Sequence, residues 1–167
     1  MILSDKTIKA YIENGLLKIS PLKLEDVQPA SVDLHLSRQL KSINGDEILI
    51  GDDGYVLKPN EFILGSTEEY VEVPDTLVGI VDGRSSIGRL GILVHITAGY
   101  IDPGFRGNIT LEIYNVSSES FPLVSGMSIC QLILQTLTTK CENPYGSERL
   151  GSKYQDSRGT IVSRLGQ

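Results

Sequence analysis

The sequence lacks tryptophan, has only two cysteines and contains no long run of apolar residues. Two cysteines cannot build a disulfide framework, and Cys130 and Cys141 without a secretory leader predict free thiols in the cytoplasm. No stretch approaches the roughly 18 consecutive apolar residues of a membrane-spanning helix, so we expect no membrane insertion. The 167 residues are enough for one domain with its own core, which we expect to cover 1–167.

An excess of basic residues is missing as well. Lys and Arg number 15 against 21 Asp and Glu, which gives a net charge of −6. Because nucleic-acid binding depends on clustered cations, this balance argues against a nucleic-acid partner. Arg84, Arg89 and Arg106 nevertheless fall in a glycine-rich stretch with few acids, where we expect a local anion-binding pocket.

The usual zinc-binding patterns are also missing. His35 and His95 are far apart in the chain, and Cys130 and Cys141 do not form a CxxC pair. Neither the HxE nor the PCxxC element of zinc nucleobase deaminases occurs. We therefore expect no zinc bound by the protein, and we predict that His95, between apolar neighbours, is a hydrogen-bonded core residue.

The sequence does contain one helix signal, followed by many short strand signals. Ser4 as N-cap, Asp5 in the first turn and Gly15 as the stop predict a short N-terminal helix. Ser31–Leu36 alternates polar and apolar residues, as a half-buried strand does. Further short apolar runs occur at 48–50, 62–64, 78–81 and 92–96. Turn residues separate these runs, which predicts an all-β barrel or sandwich.

The most informative strand pattern covers Asn108–Tyr114. A two-residue period places Ile109, Leu111 and Ile113 on one face and polar residues, including Glu112, on the other. A carboxylate flanked by apolar residues is partly shielded from water, which suits general acid–base chemistry. A strand glutamate that simply faces water fits the pattern equally well.

A second cluster of polar residues is the segment Gly83–Arg89, which combines two arginines, two serines and two glycines. Guanidinium forks, hydroxyls and closely approaching backbone amides all suit phosphate oxygens. The spacing differs from the GxxxxGK[ST] of a P-loop, and an ordinary polar loop has the same composition.

The run GRSSIGRLGILVHITAGYIDPGFRGNITLEIYN at 83–115 resembles the core of the dCTP deaminase family, within the dUTPase superfamily. Residues 28–34 resemble the early motif of that family, and 126–132 resemble its later glycine and glutamine motif. Residues 144–145 and 153–155 resemble its tail. The resemblance therefore covers nearly the whole chain.

The resemblance implies a distorted β-barrel of the dUTPase type, a β-clip fold, with a short N-terminal helix. It also implies a homotrimer whose active sites are shared between subunits. A tail over 145–167 is expected to be mobile and to close over the site. The family works without protein-bound zinc, and Mg²⁺ is expected to accompany the triphosphate.

By resemblance, Glu112 takes a proton from water, the hydroxide attacks C4 of cytosine, and the proton passes to the departing ammonia. Ser85 and Arg89 match residues that position the water and assist catalysis. The other nucleotide contacts that the resemblance implies are Arg84, Ser86, Ile87, Gly88, Asp102, Thr110, Leu111, Gln131, Tyr145 and Lys153. Taken alone, the last three fit a strand amide, a packing residue and a solvated charge.

Gly99 followed by Tyr100 resembles the bifunctional subtype, which converts dCTP through dUTP to dUMP, ammonia and diphosphate. A glycine at 99 is expected to leave space beside the phosphates for a second attacking water, aided by Asp102. Inhibition by dTTP is a family property that we expect here. The alternatives are a dCTP deaminase that releases dUTP, a plain dUTPase, and a catalytically silent trimeric nucleotide-binding module.

The chain departs from the family in its tail. Where the family commonly reads KYQGQ, residues 153–157 read KYQDS. Asp156 is expected to add negative charge near the triphosphate, and Ser157 is too short to replace the amide contact of a glutamine.

Overall fold

The computed structural model describes residues 1–166. It confirms the predicted helix: α1 covers Asp5–Glu13, with Ser4 as its N-cap. Gly15 follows the helix end with φ 67°, a left-handed conformation that a residue without Cβ adopts at little cost. Within the described residues, no helix is long and apolar enough to cross a bilayer.

Short strands make up most of the remaining secondary structure, as the alternating and apolar runs predict. In chain order they are β1 (Lys18–Ser20), β2 (Val27–Gln28), β3 (Ser31–His35), β4 (Gln39–Lys41), β5 (Glu47–Leu49), β6 (Tyr55–Leu57), β7 (Phe62–Glu72), β8 (Leu77–Gly83), β9 (Ile92–Val94), β10 (Tyr100–Ile101), β11 (Arg106–Asn115), β12 (Phe121–Leu123) and β13 (Ser128–Thr136). A 3₁₀ turn, Leu24–Asp26, precedes β2, and a one-turn helix, α2 (Ser85–Gly88), follows β8.

The strands form two large sheets and one two-stranded ribbon. The first sheet has the order β5-β4-β7-β11-β9, with β1 also paired to β7. The second has the order β10-β8-β13-β3-β2, and β12 pairs with β6 in the ribbon. The sheets, whose ladders are antiparallel, do not join into one closed cylinder over residues 1–166. The predicted all-β barrel is therefore confirmed in a distorted form.

One hydrophobic cluster joins the two large sheets. Leu34 and Leu132 of the second sheet belong to the same cluster as Leu111 and Ile113 of the first, and all four are fully buried. The apolar face of β11 therefore anchors this strand in the core. Its polar side chains consequently keep fixed positions on the opposite face.

β3 does not show the half-buried alternation that its sequence predicts. Ser31 and Asp33 are buried, as are the apolar residues between and after them. The reason is that polar partners cover them: Arg84 pairs with Asp33, and Ser31 donates to the side chain of Gln131. Sequence alternation alone does not reveal these partners.

The segment Gly83–Arg89 is more regular than the polar loop that its composition suggests. The amides of Gly88 and Arg89 donate to the carbonyls of Arg84 and Ser85, which closes one helical turn. Ile87 is buried and packs into the core cluster, so the turn is attached to the fold at its middle.

Candidate active site

A cavity of about 620 Å³ opens beside β11. Polar-face residues of β11, the segment 95–102 and the C-terminal stretch that begins at Tyr154 form its walls. The lining residues are Ile43, Phe62, Leu64, His95, Ala98, Tyr100, Ile101, Asp102, Phe105, Asn108, Ile109, Thr110, Glu112, Tyr145, Tyr154, Ser157, Ile161, Val162 and Ser163. Mostly apolar walls with a few convergent polar groups are typical of small-molecule sites, as is this volume.

Glu112 lies in the wall of this cavity, half-buried on the face of β11 that the two-residue period predicts as polar. Its Oε2 accepts hydrogen bonds from Thr97 N at 3.2 Å and from Thr97 Oγ1 at 3.1 Å. Within residues 1–166, no hydrogen bond ends on its Oε1. Thr97 therefore orients the carboxylate and leaves one oxygen available for a water or a ligand.

His95 also lines the cavity and is not the hydrogen-bonded core residue that the sequence predicts. β9 ends at Val94, and His95 adopts a left-handed backbone with φ 66°, so the strand alternation stops before it. Both ring nitrogens are buried and have no hydrogen-bond partner among residues 1–166. Because a neutral imidazole has one donor and one acceptor, both groups are left unpaired beside the cavity within residues 1–166.

Three more of the predicted nucleotide contacts, Asp102, Thr110 and Tyr145, line the same cavity. Asp102 is exposed in the turn after β10, and Thr110 lies on the polar face of β11. Thr110 Oγ1 accepts a hydrogen bond from Ile161 N at 3.1 Å, so the C-terminal tail contacts it directly. Tyr145 packs against Phe105, with ring centroids 5.8 Å apart.

The predicted phosphate-binding segment lies outside the cavity, since none of residues 84–89 is part of its lining. Ser85, Ser86, Gly88 and Arg89 are exposed, and within residues 1–166 Arg89 makes no ion pair. The Ile87 side chain faces the core, as does that of Leu111 on β11. Either residue can therefore meet a ligand only through its backbone.

Arg84, unlike Arg89, is already paired. Its Nη1 lies 2.7 Å from Oδ2 of Asp33. Gln131 supports the same segment, because its Nε2 donates to Gly83 O at 3.2 Å while its Oε1 accepts from Ser31 Oγ at 3.0 Å. The anion-binding pocket at this segment stays a prediction, in which Arg84 is already paired with Asp33 within the chain.

The predicted site residues thus fall into two separate groups. The cavity group consists of Glu112, Asp102, Thr110 and Tyr145. The anion group consists of residues 84–89 and Gln131. Lys153 belongs to neither: it is exposed beside a neighbouring cleft, and its Nζ donates to Arg164 O at 2.9 Å.

Within residues 1–166, no group of three or more His, Cys, Asp or Glu side chains converges as a metal site requires. Cys130 is buried and Cys141 half-buried, and both thiols are free. That the protein works without zinc stays a prediction.

Residues 2–137 match the family model described as dCTP deaminase-like. The chain belongs to this family. A dCTP deaminase, dUMP-forming, from Methanobrevibacter smithii is 46% identical over 184 residues, which cover 98% of this chain and 95% of the relative. The likeness therefore includes the C-terminal tail, which lies beyond the residues that the family model matches.

Solved structures show the same fold. The 2'-deoxycytidine 5'-triphosphate deaminase of Agrobacterium tumefaciens superposes with a TM-score of 0.69 at 23% identity, over 81% of this chain and 48% of that one. This chain thus spans about half the length of the Agrobacterium protein. A mutant dUTPase of phage phi11 of S. aureus superposes with a TM-score of 0.53 at 18% identity, over 74% of this chain and 92% of that one. The predicted dUTPase-type architecture is confirmed.

In this dCTP deaminase-like chain, Gly99 lies against the backbone of β8, and the space for a second water beside the phosphates stays a prediction. A Cβ at Gly99 would lie 2.6 Å from Val81 O and 3.8 Å from Cδ2 of His95. Gly99 O accepts from Val81 N at 2.7 Å, so the glycine allows its segment to lie directly against β8. Tyr100, the next residue, lines the cavity, whereas Gly99 does not.

The C-terminal tail is docked along β11. Asn108 N donates to Ser157 O at 3.0 Å, and Gly159 N donates to Asn108 Oδ1 at 3.1 Å. Thr160 is buried, and its hydroxyl donates to Gln39 O at 2.7 Å. The tail thereby forms one wall of the cavity of its own chain.

Mobility of the tail 145–167 stays a prediction, and Gln167 lies outside the described residues.

Where the family has glycine, Asp156 keeps a glycine-like backbone with φ 56°, which aspartate tolerates better than most residues. Its carboxylate accepts from Arg106 Nε at 2.9 Å, from Arg106 Nη2 at 3.0 Å and from Tyr70 OH at 3.0 Å. Hydrogen bonds from Arg106 and then Tyr70 lower the pKa of Asp156 below its usual value. The negative charge expected near a triphosphate is therefore already paired, and so is Arg106.

Two residues of the site have no sequence signal. Thr97 lies in the irregular segment 95–99, where no periodicity relates it to Glu112. Asn108 holds an irregularity in the β7–β11 register, because its Nδ2 donates to the carbonyls of Thr67, Glu68 and Glu69 at 3.0–3.2 Å. In the sequence, an asparagine on the polar face of a strand predicts neither a break in the strand register nor a contact with the C-terminal tail.

Proposed function

We propose that this chain is a hydrolase, a zinc-independent dCTP deaminase of the bifunctional subtype, which converts dCTP to dUMP, ammonia and diphosphate. Such a reaction is a step in pyrimidine deoxynucleotide synthesis. Family membership supports this activity, as does 46% identity with the dUMP-forming M. smithii relative. The structural observation that carries it is Glu112, a half-buried carboxylate on the wall of a nucleoside-sized cavity, whose Oε1 accepts no hydrogen bond from residues 1–166.

In the deamination step, Glu112 acts first as general base and then as general acid. Its carboxylate takes a proton from water while the water oxygen bonds to C4 of cytosine. As the water oxygen adds, the C4=N3 double bond opens and the proton passes from Glu112 to N3. Glu112 then takes the proton of the new C4 hydroxyl and gives it to the amino nitrogen, so the exocyclic C4–N bond breaks, the C4=O bond forms and ammonia leaves, which yields dUTP. Because Thr97 holds Oε2, Oε1 is the oxygen that exchanges the proton.

In the second step, another water attacks the α-phosphorus of dUTP, the α,β-anhydride bond breaks, and dUMP and diphosphate form. We assign Asp102 to this water and to the deoxyribose 3′-hydroxyl, since it lines the mouth of the cavity. Tyr100 lies beside it, and Gly99 sets the position of both by lying against β8. The substrate is the Mg²⁺ complex of dCTP, in which the ion shields phosphate charge. The related phage phi11 dUTPase coordinates a structural Mg(II) ion.

Both steps require the anion group beside the cavity group, and within one chain none of residues 84–89 lines the cavity. A homotrimer resolves this separation if the anion group of one subunit completes the cavity of its neighbour. Leu90, Leu93 and Ile96, which directly follow the anion group, are 56%, 42% and 43% exposed in the single chain. Neighbouring exposed apolar side chains of this kind support a subunit interface at this position.

Within that assembly, Ser85 and Arg89 position the attacking water, and Arg84, Ser86 and the backbone at 87–88 hold the triphosphate. The remaining contacts are Thr110 and the Leu111 backbone at the base, and Gln131, Tyr145 and Lys153 elsewhere on the nucleotide. A competing pyrimidine triphosphate, dTTP, is the proposed inhibitor. The free thiols fit a cytoplasmic location, and the net charge of −6 fits a partner other than nucleic acid.

The test is incubation of the purified protein with dCTP and Mg²⁺, followed by separation of dUTP, dUMP and ammonia. We expect one dUMP and one ammonia for each dCTP consumed, without build-up of free dUTP. Accumulation of dUTP in step with ammonia would identify a deaminase that stops at dUTP. Cleavage of added dUTP without ammonia from dCTP would identify a dUTPase, and binding without any product would identify a silent module.

A further inference from the structure

Three neighbouring strands of the second sheet, β3, β13 and β8, bring polar side chains together next to the anion group. Gln131 on β13 lies opposite Asp33 on β3 and, on its other side, opposite Asp82 on β8. Asp33 is 7% exposed, and Ser31 beside it is 6% exposed. Polar groups are seldom buried without a specific partner, so the contacts of this cluster are informative.

The backbone just before α2 is held from two sides. Gln131 Nε2 donates to Gly83 O at 3.2 Å, and Gly83 N donates to Asp82 Oδ1 at 2.8 Å. Ser31 Oγ in turn donates to Gln131 Oε1 at 3.0 Å, which fixes the amide. The point from which the Arg84 side chain emerges is therefore fixed before any ligand binds.

Asp33 fixes the other end of that side chain. Its Oδ2 lies 2.7 Å from Arg84 Nη1, and one third of the Arg84 side chain is exposed against 9% for Asp33. Burial raises the pKa of Asp33, and the Arg84 charge opposes this rise. A guanidinium has five N–H donors, and contact with one carboxylate oxygen leaves others to face outward.

We propose that Asp33 is a positioning residue that holds Arg84 with its outward N–H groups in place for the substrate triphosphate. This role rests on the proposed function, because it assigns Arg84 to the phosphates of dCTP. A guanidinium held before binding loses less side-chain freedom when the ligand arrives, so the benefit is in ground-state binding. Asp33 touches neither substrate nor reacting atoms in this role.

Asp33→Asn distinguishes a positioning role from a purely electrostatic effect of the carboxylate. The two predict opposite changes in the affinity for the triphosphate. Removing a negative charge near an anion site should strengthen triphosphate binding, whereas releasing Arg84 should weaken it. We expect KM for dCTP to rise about tenfold, the cost of immobilising one long side chain. We expect kcat for ammonia release to stay within about twofold, because the transition state loses no separate contact.

Asp26→Asn is the matched control. Asp26, in the 3₁₀ turn before β2, lies near enough to Asp33 for its charge to raise the pKa of Asp33. It lies 3.6 Å from His35 Nε2 and makes no ion pair with Arg84. The control removes the same charge and leaves Arg84 held, so its KM should be unchanged or lower. Asp33→Glu, which keeps the charge pair but displaces the guanidinium, should raise KM even if Asp33→Asn fails to fold.

The outcomes distinguish the two levels of the proposal. If the wild-type protein releases no ammonia from dCTP, the proposed function fails and the role of Asp33 fails with it. If the wild type is active and Asp33→Asn and Asp33→Glu both match Asp26→Asn in KM, only the positioning role is overturned. A fall in kcat with KM unchanged would also overturn it.

Discussion

Gly99→Ala places a methyl group where the structure has a backbone carbonyl. The new Cβ would lie 2.6 Å from Val81 O, whereas ordinary contacts of a Cβ begin near 3.4 Å. The segment at Gly99 and β8 must therefore separate by about 0.8 Å, which strains the 2.7 Å hydrogen bond between Val81 N and Gly99 O. Neither partner is the flexible end of a side chain, so the shift reaches the backbone.

The expected cost follows from overpacking. Forcing extra atoms into a packed site costs about 1–3 kcal/mol, which for a domain of this size lowers Tm by roughly 2–12 °C. The displaced segment includes Ala98 and Tyr100, which line the cavity, so the shift changes the shape of the cavity wall. Because a misplacement of about 1 Å can cost up to a hundredfold in rate, we expect dUMP formation to fall at least about tenfold.

Thermal unfolding followed by circular dichroism, together with the dCTP product assay, measures both effects. Gly51→Ala is the matched control, since a Cβ at Gly51 meets nothing within 4 Å and the backbone is not left-handed. Its Tm should stay level or rise by up to about 4 °C, because the alanine restricts the unfolded chain. If Gly99→Ala melts and turns over like Gly51→Ala, the close approach of this segment to β8 does not exist as described.

Two further predictions concern the carboxylate of the cavity and the docked tail. Thr97→Val removes the hydroxyl donor to Glu112 and keeps the backbone donor, so ammonia release should fall by about tenfold. Thr76→Val, the same change at an exposed threonine that does not line the cavity, should stay near the wild type. Asp156→Asn removes the ion pair with Arg106, so trypsin should cleave the tail about threefold faster, and added salt should have the same effect on the wild type. Because the docked-state pKa of Asp156 is lowered, its contribution to docking is complete above the usual Asp pKa and is lost as the pH falls through the lowered value. Hydrogen exchange of the tail between pH 5 and pH 3 checks this sign, and protection that rises on acidification would contradict it.

The sequence predicts well where a single local pattern decides the outcome. The first helix follows from its cap and its stop, and the polar face of β11 follows from a two-residue period anchored by Leu111 and Ile113. The placement of Glu112 on an open, polar face therefore needs no tertiary information. The family resemblance adds the chemistry, which periodicity alone does not provide.

Prediction fails where distant segments meet. His95 departs from its strand pattern because β9 ends one residue earlier and the backbone becomes left-handed. The surroundings of Gly99 depend on β8, which lies nearly twenty residues earlier in the chain. Asp33 and Arg84 are separated by about fifty residues, and only the sheet order brings them into contact.

The division of the site into two groups has the same physical origin. Glu112 and Thr110 of the cavity group lie on β11 of the first sheet, while the anion group follows β8 of the second sheet. The two-residue period of β11 does not reveal which subunit provides the anion group for its cavity. The composition of Gly83–Arg89 does not reveal which cavity this segment faces. The shared site of a homotrimer therefore remains a proposal that the arrangement of one chain supports.

The most direct test of the central claim is the initial rate of ammonia release from dCTP by Glu112→Gln. This change keeps the shape of the side chain and removes its ability to exchange a proton. The matched control is Glu68→Gln, an exposed glutamate on the neighbouring strand β7. We predict that Glu112→Gln loses activity by at least about a thousandfold with unchanged thermal unfolding, while Glu68→Gln retains wild-type rates. Ammonia release at a near wild-type rate from folded Glu112→Gln would contradict the assignment of Glu112 as the proton-transferring group.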